Sequence, residues 1–310
     1  MNGQANAIEN PGESIESTRN VMTPTWAFYW CVRREIWENR SIYVAPLVLA
    51  AVFLFGFLVT LGRLPKHVRD ASSLAPEHYR HAIAVHYNIS GGAMMLMAVL
   101  VSVFYCIDAL YGERRDRSIL FWKSMPVSDF TTVLSKASLP IVIIPLIATA
   151  AGIALQIVML LLSTLVLAGS GLDVARYWSA LAPLQMWWLL LVHIMTAHAL
   201  WPAPVYAWLI LVSGWARRAV LLWAALPIIA IGLLETIVFR TWHFAILVGS
   251  HLIGAPNEAS SGGPERFPTD PMAYHSAFHL LGSAGMWIGL LLTGVFLAAA
   301  VRLRRDRGPI

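Results

Sequence analysis

Long apolar runs separated by short polar segments dominate this chain. Windows near 41–62, 89–110, 137–167, 184–213, 219–239 and 281–301 each reach or exceed the roughly twenty residues that cross a hydrocarbon layer about 30 Å thick. They predict six transmembrane helices and hence an all-α, polytopic membrane protein with a transmembrane region over 41–301. Two of the runs are longer than a crossing needs and carry prolines: Pro140 and Pro145 in the third, Pro202 and Pro204 in the fourth. The WPAP of the fourth run, Trp201 to Pro204, kinks one long helix or divides a re-entrant pair. One more apolar run, Trp242 to Ala255, is too short to cross and is interrupted by Gly249 and Gly254. It is expected as an interfacial or re-entrant segment within an outer region spanning 240–280.

Composition agrees with this class. Of 310 residues, 58% are hydrophobic and 13% charged, about half the charged fraction of a soluble domain, so the chain lacks the polar surface to cover a soluble core. Residues 1–22 are polar, hold no apolar stretch that would serve as a cleaved signal peptide, and are expected to form a disordered cytoplasmic tail. Most of the 22 Lys and Arg residues lie in four segments: 1–40, 111–136, the Arg217–Arg218 pair and the basic tail 302–310. The positive-inside rule therefore places all four, and both termini, in the cytoplasm. This placement accounts for the net charge of +5 without a nucleic-acid partner, since no basic stripe with interleaved aromatics occurs elsewhere. The partner read from composition is the lipid bilayer. Cys31 and Cys106, the only cysteines, fall on the reducing side and form no disulfide framework.

Two polar segments do more than connect spans. Within 23–40, Trp26, Tyr29, Trp30, Ile36 and Trp37 gather on one side of a helical wheel, opposite Arg34, Glu35, Glu38 and Asn39. This pattern predicts an interfacial elbow helix with its rings immersed in lipid and Arg33 snorkelling from the apolar face. A plain membrane anchor ahead of the first span has the same pattern. The second segment is the inner loop 111–136. Arg114, Arg115, Asp116 and Arg117 open it, Ile119 to Trp122 form an apolar ridge, Pro126 stops the helix, and Ser128 or Asp129 caps the next one. A loop that only had to be soluble would not display Leu120, Phe121 and Met125, since burying each is worth about 1.5–3 kcal/mol. Either lipid headgroups cover the ridge, or a soluble partner receives it as a short helix in a groove.

The elbow helix, the six spans, the basic C-terminal end and above all the loop E-R-R-D-R-S-I-L-F-W-K-S-M-P-V-S, Glu113 to Ser128, resemble the membrane subunits of ABC transporters of the type-2 exporter class. The resemblance runs from about residue 23 to the C-terminus. It implies a type V exporter-like fold with a cytoplasmic coupling helix, and the function of a permease subunit that forms the translocation path of an ATP-driven exporter. It also implies that Glu113, Arg114, Arg115, Asp116, Arg117, Ser118, Leu120, Phe121, Lys123, Met125 and Pro126 lie in the region touching a separate ATP-binding subunit. The implied setting is a bacterial cytoplasmic (inner) membrane, and the implied assembly is a homodimer or a heterodimer with a related permease. ATP and Mg would be bound by the partner, leaving this chain with no cofactor and no catalytic site of its own. In keeping with that, it contains no G-x-x-x-x-G-K-[ST] and not even a Gly-Lys dipeptide.

Other candidate chemistry is sparse. Asp108 and Glu235 are the only carboxylates inside the predicted spans and are functional candidates on that ground. Asp108 is expected to pair with Arg114 or Arg115. His275 and His279, four apart, share a helix face and with an outer carboxylate suggest the alternative of a metal-dependent membrane enzyme acting on a lipid-linked substrate. A non-transporting membrane scaffold is a third reading. His193 and His198, five apart, are expected on different sides of their helix, and His67, His78, His81 and His86 in a solvated outer loop.

Overall fold

The computed structural model describes residues 23–125, 127–253 and 280–306, and among these residues the structure is helical with no strand. Helix α1 (Pro24–Glu38) precedes α2 (Ser41–Leu61), and a short α3 (Leu64–Ala71) leads to α4 (Pro76–Asp108). Two short helices follow, α5 (Tyr111–Arg115) and α6 (Ile119–Ser124). Next, α7 (Asp129–Ser138) passes through a π-helical turn, Leu139–Ile143, into α8 (Ile144–Gly169). Beyond them α9 (Val174–Leu181) precedes α10 (Pro183–His193), which runs through a second π-helical stretch, Ile194–Leu200, toward α11 (Ala203–Trp215). The described elements end with α12 (Val220–Phe239), α13 (His243–Ile253) and α14 (Ala284–Asp306). Six stretches are long and apolar enough to cross a membrane: Ser41–Leu61, Pro76–Arg115, Asp129–Gly169, Val174–Leu200, Val220–Phe239 and Ala284–Asp306.

The count matches the sequence expectation, while several boundaries move. The outer segment 63–88, expected as a loop, is largely helical. Pro76 begins α4 with φ already set, and Tyr79, Ile83 and Tyr87 recur every fourth residue on its buried face, so the polar residues between them line only the exposed side. His78, His81 and His86 therefore sit on a helix. At the other end of the inner loop, the Ser128 side chain accepts from the Thr131 N–H at 3.0 Å, so it is Ser128 that caps α7.

The prolines explain the π turns. Pro140 and Pro145 each remove a backbone donor, and between them the ladder lengthens so that the Ile144 N–H reaches Leu139 O. Just before Pro202, the Trp201 N–H likewise donates to Thr196 O, five residues back, at 2.9 Å. The fourth apolar run follows one course along α4 and does not fold back: Met186 near its start packs in the cluster around Tyr87, just after α9, and Ile210 near its end packs with Tyr105 and Leu110. The Tyr177 hydroxyl lies 3.3 Å from that of Tyr87, whereas Ser213 Oγ accepts from the Leu110 N–H at 3.2 Å.

Two apolar clusters stack along the bundle. Near the α4 C-terminus, Ile42, Tyr105, Cys106, Leu110, Leu139, Tyr206 and Ile210 pack together; near its N-terminus, Phe57, Tyr87, Met94, Leu155, Met159 and Tyr177 do. Helices α2 and α12 lie at the periphery, with Phe55, Val59, Ile229 and Ile237 exposed. The segments around α1, α5–α7, Ser213–Ala216 and the end of α14 share one end of the bundle, hereafter the charged end. These are the basic segments that the charge distribution assigned to one side.

Candidate functional site

The inner loop builds the most distinctive feature of the charged end. Between α5 and α6, Arg117 adopts a left-handed backbone, φ 58°, which is unfavourable for a residue carrying a Cβ. Hydrogen bonds hold this turn: the Asp116 N–H donates to Gly112 O at 2.9 Å and the Leu120 N–H to Arg117 O at 3.2 Å. The result orients α6 so that Ile119 is 2% exposed while Leu120 and Phe121 are 58% and 59% exposed. The ridge therefore has a buried root, Ile119, where the sequence suggested an exposed residue. Met125 extends the exposed surface and Phe130 adjoins it in sequence. Pro126 lies outside the described residues.

Behind the ridge is a buried ionic cluster. Glu113 Oε2 accepts from Arg304 Nη1 at 2.8 Å, and its Oε1 lies 3.3 Å from Lys136 Nζ and 3.7 Å from Arg34 Nη2. Lys136 Nζ also donates to Glu35 Oε1 at 2.7 Å, while the Tyr105 hydroxyl donates to Glu35 Oε2 at 2.8 Å. Arg304 Nε reaches Asp129 Oδ1 at 3.1 Å. Glu35, Glu113, Lys136 and Arg304 are all buried. Isolated, each such charge would cost several kcal/mol, and only mutual pairing with full hydrogen bonding offsets that. Arg34 forks onto the Glu38 carboxylate at 2.7 and 2.9 Å and lays its guanidinium 3.3 Å from the Trp122 ring centroid, joining α1 to α6.

Further bonds tie the loop to the spans. Arg114 Nη1 donates to Gly214 O at 2.7 Å and Ala216 O at 3.2 Å, neutralising the exposed carbonyls at the C-terminus of α11. Lys123 Nζ donates to Arg305 O at 3.2 Å. Glu113 and Arg114, expected among partner-contact residues, thus face inward as tie points, because each has buried partners on other helices. Arg115, Asp116, Arg117, Leu120, Phe121, Lys123 and Met125 face outward, and Ser118 is half-buried. A cleft of about 490 Å³ opens beside them, walled by Arg34, Glu38, Asp108, Asp116 and Trp122.

Helix α1, expected as an interfacial elbow, differs from its wheel at Glu35. Trp26, Tyr29, Trp30 and Trp37 are exposed on one side, as expected. Glu35, however, was assigned to the water-facing side and is buried against α7, because Lys136 and Tyr105 offer it ionic and hydrogen-bonding partners. Burial raises the Glu35 pKa, but the Lys136 ammonium, the bonds from Lys136 and Tyr105, and the Arg34 charge outweigh it and leave the carboxyl below its ordinary value. Arg33 lies over the Trp30 and Trp37 rings at 5.0 and 4.6 Å, so it belongs to the aromatic face.

The remaining sequence candidates separate. Asp108 is exposed, and of its two expected partners it meets Arg115, whose Nη1 lies 4.0 Å from Asp108 Oδ1. Glu235 is a capping group: Oε1 accepts from Thr241 Oγ1 and the His243 N–H, and Oε2 from the Phe244 N–H, all at 2.8–2.9 Å, fixing the start of α13. His193 and His198, expected on different sides, have ring centroids 5.5 Å apart, because the π-helical stretch places residues five apart over one another. His275 and His279 lie outside the described residues. Sequence reasoning missed Tyr105, Lys136 and Arg304, whose only signal was a charge or hydroxyl at the inner end of an apolar run. No family model matches the chain, and neither curated proteins nor solved structures give a match.

Proposed function

We propose that the chain is the membrane-spanning permease subunit of an ATP-driven exporter, working with a separate ATP-binding subunit that grips α6. One observation carries this reading: an exposed apolar ridge on a short helix is backed by ionic, hydrogen-bonding and cation–π ties to four other helical elements. The ridge offers a partner apolar area worth about 1.5–3 kcal/mol per large side chain. Its outward-facing Arg115, Asp116, Arg117 and Lys123 supply a polar rim. Force on α6 then has a direct route inward, through Glu113 to α7 and α14, Arg114 to α11, and Trp122 to α1. A surface meant only for lipid headgroups would not need this internal bracing.

In this reading ATP and Mg are bound by the partner, two permease copies or two relatives enclose the path, and the charged end faces the cytoplasm of a bacterial cell. The test is to purify the chain from its native membrane, ask whether an ATP-binding protein co-purifies with it, and compare wild type with Leu120→Asp and Phe121→Asp. Both variants are expected to insert and to keep the ionic cluster. Capture of the partner should fall at least about tenfold, the effect of losing about 1.4 kcal/mol, and transport-linked ATP hydrolysis should fall with it. Unchanged capture and transport would remove the basis of the proposal.

A further inference from the structure

A second feature lies at the other end of the bundle, away from the ionic cluster. Helices α11, α12, α13 and α14 enclose a cavity of about 420 Å³ whose walls include Pro204, Trp208, Ile231, Leu247, His251 and Leu292. Its shape depends on a close approach. A Cβ on Gly289 would come within 3.1 Å of Pro204 Cγ, tighter than ordinary van der Waals contact, so glycine lets α14 lie this near α11 without displacing the proline ring. At the top, the His251 ring stacks on Trp201 with centroids 4.6 Å apart, and Trp201 Nε1 donates to Ser250 O at 2.9 Å, seating α13 as a roof. His251 Nδ1 is 2.8 Å from Leu247 O. A carbonyl only accepts, so Nδ1 carries the proton there, and Nε2 is turned toward Gly289 and the cavity.

We infer that this cavity holds one acyl chain of a bilayer phospholipid. The walls offer water almost no hydrogen-bonding partners, and apolar cavities of this kind stay dry. An empty one would forfeit dispersion contacts along its whole lining. Its mouth is continuous with the hydrocarbon-facing surface: Ile231 and Ile288 border it while Ile229 and Leu291 beside them are exposed on the same two spans. Along α14 the lining runs from Gly285 to Phe296, a rise of about 16 Å, close to half of the roughly 30 Å hydrocarbon layer. A chain anchored in one leaflet fits that length, with its glycerol end near His251.

The test uses the full-length protein in phospholipid nanodiscs doped with a phospholipid carrying a photoreactive group near the end of one chain. It needs no ATPase, so its failure would leave the coupling reading untouched. After irradiation, mass spectrometry is expected to find adducts concentrated on 227–231 and 285–296. Leu247→Trp and Leu292→Trp, which overfill the cavity from partly exposed positions, should lower that labelling about tenfold, as a clash of about 1.4 kcal/mol would. Leu291→Trp, facing away from the cavity, serves as the control and should leave it unchanged. Labelling no stronger than on Phe55 and Val59 of α2 would overturn the inference. So would protein–protein adducts at the lining, which would make the occupant a second copy of the chain.

Discussion

The two ends of the bundle solve opposite packing problems. At the charged end, Glu35, Glu113, Lys136 and Arg304 are buried by neutralising one another, so their strength is spent internally and the surface shown outward is an apolar ridge. At the far end, α11–α14 meet around an apolar cavity and are held by a stacked Trp201–His251 pair and a glycine contact. The contrast teaches that buried charge in this protein marks where helices are fastened to one another, while the apolar surfaces are where we propose that something else arrives. A reading that looks for ligands among the ionisable groups would look in the wrong places.

The contrast is most exposed to test at Glu113. Glu113→Gln leaves Lys136 and Arg304 buried with weakened partners and should cost roughly 3–5 kcal/mol, read as a lowered thermal midpoint of the detergent-purified protein. A loss under about 1 kcal/mol would mean that the cluster behaves like surface ion pairs and the contrast fails. Next comes acid sensitivity. Glu35 is held below its ordinary pKa, so its contribution is present above the unfolded-state value of about 4.3 and disappears as pH falls through the folded value. Melts from pH 7 to 4 should show wild type weakening only at the acid end. Glu35→Gln should already be weaker at pH 7, by about 3 kcal/mol, and should have the flatter profile; parallel profiles would break the assignment.

At the far end, Trp201→Phe keeps the ring stack but loses the bond to Ser250 O, and should cost about 1 kcal/mol at every pH tested. An acid-dependent loss there would blur the distinction between the two ends. The smallest effect is expected for Asp108→Asn, whose exposed 4.0 Å contact with Arg115 is worth about 0–0.5 kcal/mol. A larger loss would extend the buried network beyond the residues assigned to it.

The sequence disclosed the spans well because a hydrocarbon solvent leaves a one-dimensional mark: twenty apolar residues in a row. It disclosed the ridge for a related reason, since Leu120, Phe121 and Met125 are out of place in a charged loop. The ionic cluster was not legible, because its members come from five separate segments and each alone looks like an ordinary interfacial charge. Glu35 misled for the same reason, since a helical wheel says which residues share a side but not which side meets protein. The His193–His198 pairing was hidden by the assumption of 3.6 residues per turn, which fails where Pro202 forces the ladder to lengthen. Glu235 stood out as a carboxylate within an apolar run, yet its role as the cap of α13 depended on a chain reversal that no periodicity encodes.

Helix α14 contains no proline over its 23 residues, about 34 Å of unbroken rod. One extremity is pinned by Arg304 to Glu113, and the other presses Gly289 against Pro204. In a rod held at both extremities, a tilt imposed at the arginine extremity has to be taken up at the glycine extremity, with no chemical messenger between them.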